Sequence, residues 1–492
     1  MLDAYRRANL ALRPPVSLRE RTVFAMEKKQ TPRVRSRGPR YVAALAAVLA
    51  LAFLFSVMPR SSGNPNGGVN ALRAYALSEP AYPNYPARVN NLGVEREGYW
   101  GDRRNYWAKI EPVEEEFVQK VGDFSGTTSK LVLAGAEGNR LYSPVSFWIA
   151  LAMLAETTGG ESRQQVLDAL GVDDLETLRE QTRRLWQNIY QDDGIIATIP
   201  ASSIWLSNGY SYEKETLDTL AEWYYAGSYA VDMGTAKADK AIAAWLDEQT
   251  GGLLKDSTGQ IQTDPLDLFQ LFSTIYYYGK WSTPFDQSRN TWDTFTRADG
   301  TELTAEFMHT KREGSALLGE TFTAASLYNE NSLITFVLPD EGRTVDEVLA
   351  DPGLWDGLAG RAEWGRYKTE WSLPKFDAQS DVDLKDTMKE MGITDLFDDT
   401  KADFTALVDP AQLDRPVLSV AKQAARIQVD EEGIRAVTYT QLGTQNGAAL
   451  PPNDVIIMDL NRPFLVIIGS NSSGASLGDI PLFVGVVNDP SA

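Results

Sequence analysis

The sequence predicts an α+β protein, on three observations. Ile149–Ala155 and Thr216–Tyr225 suit amphipathic helices, whereas Leu333–Leu338 and Val455–Met458 are short apolar runs suited to buried strands. The two kinds of segment mix without a regular strand–helix–strand rhythm, which argues against a parallel α/β sheet. There is no internal repeat, and 492 residues with 43% hydrophobic and 10% aromatic content suffice to bury at least one large core.

The elements follow in chain order. Residues 1–40 hold 11 Lys and Arg against 3 Asp and Glu, a net of +8, and the remaining residues hold 36 against 64, a net of −28. Between these regimes, residues 41–58 (YVAALAAVLALAFLFSVM) carry no charge. At a helical rise of about 1.5 Å they would span roughly 27 Å, enough for a thin hydrocarbon core, and they read as one membrane helix. Arg33, Arg35, Arg37 and Arg40 flank it on the N-terminal side. The positive-inside rule keeps that side cytoplasmic and turns the acidic remainder outward. The alternative is a cleaved signal peptide. Its apolar region is usually shorter and nearer the N-terminus, and PRSSGNPNGG after Met58 has no clean small-x-small site, so an uncleaved anchor is expected. The basic tail reads as a solvated segment that enforces orientation.

Residues 59–112 are rich in Pro, Asn, Gly and Tyr and lack sustained periodicity, as a tether would. Such a chain of some 50 flexible residues reaches roughly 35 to 45 Å. The aromatic run EGYWGDRRNYW, Glu97–Trp107, is heavier than a linker needs. It could pack on the domain, bind wall polymer or lie at the bilayer interface; packing is preferred. The domain proper is expected over 113–492.

Several chemistries are excluded. The chain has no cysteine, hence no disulfide framework, thiol nucleophile or Cys-based metal site. An extracytoplasmic protein without disulfides points to a bacterial surface rather than an animal fluid. The one histidine, His309, would have to serve any Ser-His-Asp hydrolase, yet no GxSxG elbow accompanies it, and it reads as a surface or strand-edge side chain. Zinc sites needing two histidines are ruled out. Acidic pairs such as Asp192–Asp193 and Asp398–Asp399 read as solvated faces. No phosphate-binding glycine loop occurs, and −28 on the exposed part opposes nucleic-acid binding. No cofactor or metal is expected, and the protein is expected to be a monomer and not an enzyme.

The most informative stretch is VDEEGIRAVTYT, Val429–Thr440, followed by the loop QLGTQNGAALPPND and the strand VIIMDLNRPFLVII. An acidic turn with a glycine leads into small and β-branched residues and then into a long loop, which is uncommon in a compact domain unless functional. This order resembles the hinge and reactive-centre loop of the serpins. The resemblance extends, in serpin order, over Val113–Ala492, a length of 380 residues. NRLYSPVSFWIALAMLAETTGGES looks like the SPxS strand-to-helix signature, ASSIWLS like a central-sheet strand, and LFSTIYYYGKWSTPF like the strand ending in Gly279, Lys280 and Trp281. LPKF, MGITDLFDDTKADF, RPFLVII and PLFVGVVNDP complete the series.

The resemblance implies a fold of three β-sheets with surrounding helices and an exposed reactive-centre loop. It also implies a mechanism in which a serine protease, or in some cases a cysteine protease, attacks the loop and forms an acyl-enzyme. The cleaved loop then inserts as a new central strand and distorts the tethered protease. The implied hinge is Glu431, Glu432, Gly433, Ile434, Arg435, Ala436, Val437 and Thr438. The implied shutter and breach are Asn139, Ser143, Pro144, Ser146 and Trp281, with Ser273 and Gln423 where most members carry a paired Asn and His. A hydroxyl and an amide can still hydrogen-bond, so a polar link between these two is expected.

Residues 433–447 would span about 50 Å as a strand. Alternate residues would face the core: Ile434, Ala436, Thr438 and Thr440 form the inner set and Arg435, Val437, Tyr439 and Gln441 the outer. The family prefers a small hydroxyl residue where Ile434 stands and alanines where Val437 and Tyr439 stand, departures that would slow insertion. No proline or acidic residue between Ile434 and Gly447 forbids it. Counting from Gly433 places the scissile bond at Gly447–Ala448, with Leu450 the rival because the following segment is longer than usual. These residues favour an elastase-like or subtilisin-like protease. Two function classes follow: a membrane-tethered protease inhibitor, and a non-inhibitory binding or scaffold protein of the same fold.

Overall fold

The computed structural model describes residues 72–90, 93–254, 261–330, 332–413, 415–434, 455–470 and 480–491. Among them no helix is long and apolar enough to cross a membrane; the tail 1–40 and the membrane helix expected at 41–58 lie outside them. The elements in chain order are β1 (Ala76–Ser78), α1 (Tyr99–Trp107), α2 (Glu115–Leu133), β2 (Arg140–Tyr142), α3 (Pro144–Thr157), α4 (Gly160–Leu170) and α5 (Leu175–Ile189). There follow β3 (Gln191–Asp192), β4 (Ala197–Ser207), α6 (Lys214–Trp223), β5 (Ala226–Val231), α7 (Ala236–Gln249) and β6 (Phe269–Lys280). The middle of the chain gives β7 (Thr291–Thr296), β8 (Glu302–Leu318), β9 (Phe322–Tyr328), β10 (Leu333–Pro339), α8 (Val345–Ala350), α9 (Pro352–Leu358) and β11 (Gly365–Pro374). The last part gives β12 (Phe376–Asp383), α10 (Lys385–Glu390), β13 (Lys422–Val429), β14 (Gly433–Ile434), β15 (Val455–Asp459), β16 (Phe464–Gly469) and β17 (Pro481–Val487).

The described strands form three sheets, in keeping with the predicted α+β class. One runs β1-β5-β4-β6-β14 with β3 beside β4, one runs β15-β11-β8-β9-β10-β16-β17-β2 with β7 beside β8, and β12 pairs with β13 alone. β16 and β17 are buried at every position, as continuous apolar runs between layers must be. Their sequences FLVIIG and PLFVGVV have no polar alternation to offer solvent. α3 lies against both β6 and β17 and is apolar nearly all round, so it runs through the core rather than over it. α5 is amphipathic instead: Leu178, Leu185, Trp186 and Ile189 face inward, and the Asp174 side chain caps its N-terminus by accepting from the Thr177 amide.

The stretch read as a flexible tether is built into the domain from Leu72 onward. β1 pairs antiparallel with β5 and so extends the edge of the six-stranded sheet. Tyr82 stacks on Trp186 with ring centroids 5.6 Å apart, Tyr85 meets Tyr106 edge-on at 4.8 Å, and Tyr99 is buried. Proline and asparagine suppress periodicity along this segment, which is why it reads as linker. Its aromatic side chains nevertheless bury enough apolar surface to hold it down. The aromatics of 97–107 therefore pack on the domain, apart from Trp100, which is half exposed.

Candidate functional site

The site begins at a tight turn. After β13 the Asp430 carboxylate accepts from the amides of Glu432 (2.9 Å) and Gly433 (3.2 Å), and the Asp430 amide donates to the Gly433 carbonyl (3.1 Å). This short-range capture, typical of aspartate, reverses the chain. The two residues that follow, Gly433 and Ile434, become β14, pairing antiparallel with Lys280 and Gly279 at the end of β6. Only glycine fits at 433, because an added Cβ would stand 2.4 Å from the Gly279 carbonyl oxygen. Ile434 is buried.

Trp281 locks the turn. Its indole Nε1 donates to the Asp430 carbonyl (2.8 Å), its amide donates to the Glu432 carbonyl (3.1 Å), and its ring packs edge-on against Phe285 at 5.8 Å. Glu431 is held from the side, accepting from Asn290 Nδ2 (2.6 Å) and Lys375 Nζ (3.1 Å), while Lys375 also reaches Glu306 at 3.2 Å. Burial pushes the Glu431 carboxyl up, but these hydrogen bonds and the lysine charge outweigh it and hold its pKa below the usual carboxylate value.

Beside Ile434 a narrow cleft opens between β6 and β13. Ser273 to Tyr277 form one wall and Gln423 to Gln428 the other; Ser143, Ser146, Ile468 and Phe483 line it from the core side. Among the described residues no ladder joins β6 to β13. The start of α3 is fixed there by its own cap: Pro144 sits in the first turn, and Ser143 Oγ accepts from the Ser146 amide (3.3 Å) while donating to the Leu482 carbonyl (2.7 Å).

The expected link between Ser273 and Gln423 is not made. Gln423 spends both ends of its carboxamide on the Ser143 backbone, accepting from the amide (2.6 Å) and donating to the carbonyl (3.0 Å). Ser273 turns to its cross-strand neighbour Ser202, Oγ to Oγ 3.3 Å. Both residues still line the cleft. Asn139 stands apart from it: its carboxamide accepts from the amides of Asn488 and Asp489 and donates to the Asp489 carbonyl, tying β2 to the chain end. Ser143, Pro144, Ser146, Ser273, Gln423, Trp281 and Glu431–Ile434 are thus brought to one cleft and its mouth. Arg435, Ala436, Val437, Thr438, Gly447, Ala448 and Leu450 lie outside the described residues. His309, on β8, shares a 2.7 Å hydrogen bond with Thr291 Oγ1.

Sequence reasoning missed Asp430, the Asn290–Lys375–Glu306 support of Glu431, and the burial of Lys280. The DEEG order of the turn was a usable signal for Asp430, since aspartate before a glycine commonly bonds its own backbone. Nothing local marks the others, which converge from distant segments.

The likeness to known proteins covers most of the domain that carries this site. Residues 120–490 match the family model described as Serpin (serine protease inhibitor). The chain belongs to the serpin family. Among its relatives, neuroserpin of Mus musculus is 27% identical over 372 residues, covering 72% of this chain and 87% of that protein. Plasminogen activator inhibitor 1 of Bos taurus is 25% identical over 377 residues, covering 73% and 89%. The crystal structure of the thermophilic serpin Tengpin in its native state superposes with a TM-score of 0.68 at 24% identity, covering 77% of this chain and 96% of that one. This likeness speaks for the fold. Serpins are in general protease inhibitors rather than enzymes, and these relatives include a named inhibitor.

Proposed function

We propose that this serpin is a suicide inhibitor of serine proteases, held at the outer face of a membrane by residues 41–58, and that it acts by cleavage and insertion of the chain that follows Ile434. The observation that carries the reading is the position of β14. Gly433 and Ile434 already run antiparallel to β6 at the mouth of the cleft. A chain continuing in that direction passes down the cleft, with Ala436 opposite Tyr277 and Thr440 opposite Ser273 by simple extension of the register. Ile434 is buried, so the alternation of a strand carries Ala436, Thr438 and Thr440 inward as well. All three are small enough for a filled core. The bond attacked is Gly447–Ala448, with Leu450 as rival, and the protease class is elastase-like or subtilisin-like. A net charge of −28 outside the first 40 residues favours basic proteases at low ionic strength.

The test is incubation of the full chain, in detergent, with elastase-like and subtilisin-like proteases. A covalent adduct that survives denaturing electrophoresis is expected. Clean loop cleavage with no adduct would replace the inhibitor with the scaffold reading, which the bulky Val437 and Tyr439 of the hinge would favour.

A further inference from the structure

The segment 72–112 does more than cover hydrophobic surface, because one of its side chains pairs with Glu330, a residue bonded to the Lys280 end of β6. Arg88 is 5% exposed, and its Nη1 donates to Glu330 Oε2 at 2.5 Å. The Arg88 backbone is fixed at the same point: its amide donates to the Asp193 carbonyl (2.7 Å) and its carbonyl accepts from the Arg96 amide (2.8 Å). Its guanidinium carbon lies 5.9 Å from the Tyr99 ring centroid and 5.4 Å from that of Trp100, so α1 forms a stacking wall beside it.

Glu330 in turn is bound to the gate. Its amide donates to the carbonyl of Lys280 (2.9 Å), the residue that pairs with Gly433. The neighbouring Asn329 forms a bridge with Trp281 and donates to the Tyr277 hydroxyl. An unbroken path of contacts therefore runs from Arg88 through Glu330 and Lys280 to the first residue of β14. Among the described residues the buried Lys280 amine at this junction has no hydrogen-bond partner. It stands among the charges of Glu330, Glu432, Asp193 and Arg88. An ammonium held here by the surrounding carboxylates against its burial makes the arrangement sensitive to the loss of any one of those charges.

We infer that the 72–112 segment is a built-in restraint on loop insertion, acting through the partly buried Arg88–Glu330 ion pair that holds the Lys280 end of β6 against the hinge. The inference rests on the insertion reading of the preceding section. Strand β6 cannot separate further from β13 while its end is tied to the β9–β10 turn, and that turn is tied to a segment spread over β5, α5 and the β3–β4 turn. Releasing Arg88 removes the outermost tie and leaves the cleft walls and the hinge intact.

The experiment follows the full chain at constant temperature without protease, measuring the fraction converted to a form that survives a temperature at which the starting form melts. Arg88→Ala is expected to convert at least about tenfold faster than the parent, and Glu330→Gln likewise, since breaking the pair from either side cuts the tie and leaves a partly buried charge unmatched. The double variant should be no faster than the quicker single one, because one tie is being cut. Asp102→Ala, which breaks only the exposed pair with Arg96 on the same segment, should keep the parental rate. If Arg88→Ala does not fold, Glu330→Gln carries the test alone, with Arg88 still stacked on α1. Parental rates in the variants, in a protein whose loop-cleaved form does gain heat stability, would overturn the restraint and leave the inhibitor reading standing. If the cleaved parent gains no stability, the inhibitor reading fails and the restraint with it.

Discussion

The carboxamide of Gln423 closes on both backbone groups of Ser143, accepting at 2.6 Å and donating at 3.0 Å. A wall strand of the cleft is thereby pinned to the N-terminal cap of the helix beneath it, and the Ser143 hydroxyl extends the tie to Leu482 on β17. Any sliding of β13 away from β6 has to break these two bonds or carry α3 along.

Gln423→Leu is accordingly expected to destabilise the uncleaved protein by about 1–3 kcal/mol, since it leaves the buried Ser143 amide without its acceptor at nearly constant volume. The urea midpoint measures this. An unchanged midpoint would mean that water or the neighbouring Ser146 replaces the carboxamide at no cost.

Gly433→Ala tests the hinge. The added methyl would meet the Gly279 carbonyl oxygen at 2.4 Å and the Lys280 Cα at 2.7 Å, both backbone atoms that cannot swing aside. β14 should leave the sheet, so more of the protein should be consumed as substrate per protease molecule trapped. Titration of a fixed amount of protease reads that ratio; a ratio equal to the parent's would show that the hinge does not use this pairing.

Much of this was legible in the sequence. The helix after Ser143, the β4 and β6 strands and the hinge glycine are legible through the resemblance to the serpins, to which the acidic turn with a glycine adds one local signal. The tether was misread for the converse reason. Its fixation rests on Tyr82, Tyr85 and Tyr99 meeting Trp186, Tyr190 and Asp193 far along the chain, and no period in 72–112 announces that. The Ser273–Gln423 link failed because a hydroxyl is too short to compete with a backbone. Ser273 takes the nearest cross-strand serine, and Gln423, with two complementary ends, takes a peptide group. The burial of Lys280 was not legible in its sequence position. A lysine ending a strand reads as solvent-exposed, and its burial depends on Arg88, Asp193, Glu330 and Glu432 closing around it.

Lys280 gives the protein a pH signature. Burial lowers its amine from the ordinary 10.5 to about 8; the Glu330 and Glu432 charges pull it back up and Arg88 pushes it further down. Between those values the unfolded chain holds a proton that the folded chain has released, so stability rises as pH climbs through that window, and below it the cost of the buried charge is constant. The window closes near about 9.5, because tyrosines such as Tyr99 and Tyr106, pushed up by burial, favour the unfolded chain once free tyrosine ionises. The urea midpoint of the parent should therefore gain between pH 8 and 9.5 relative to Lys280→Met, and the variant should be the more stable at pH 7. Parallel profiles would place the amine in solvent.

The last prediction concerns what cleavage does. If the chain after Ile434 enters the cleft once cut, it gains ladder hydrogen bonds along β6 and buries Ala436, Thr438 and Thr440, and the melting temperature should rise by tens of degrees, on the order expected for a full strand added to a sheet already formed. Ala436→Asp takes a charged carboxylate out of water on the inward face of the inserting strand, so insertion should slow, deacylation should win, and the variant should be cut without trapping protease. Mass spectrometry of the released C-terminal fragment fixes the bond: an N-terminus at Ala448 is expected, and one at Pro451 would assign the cut to Leu450. A protein that melts at the same temperature before and after cleavage, and an Ala436→Asp variant that traps protease as well as the parent, would together mean that the cleft between β6 and β13 does not receive the loop.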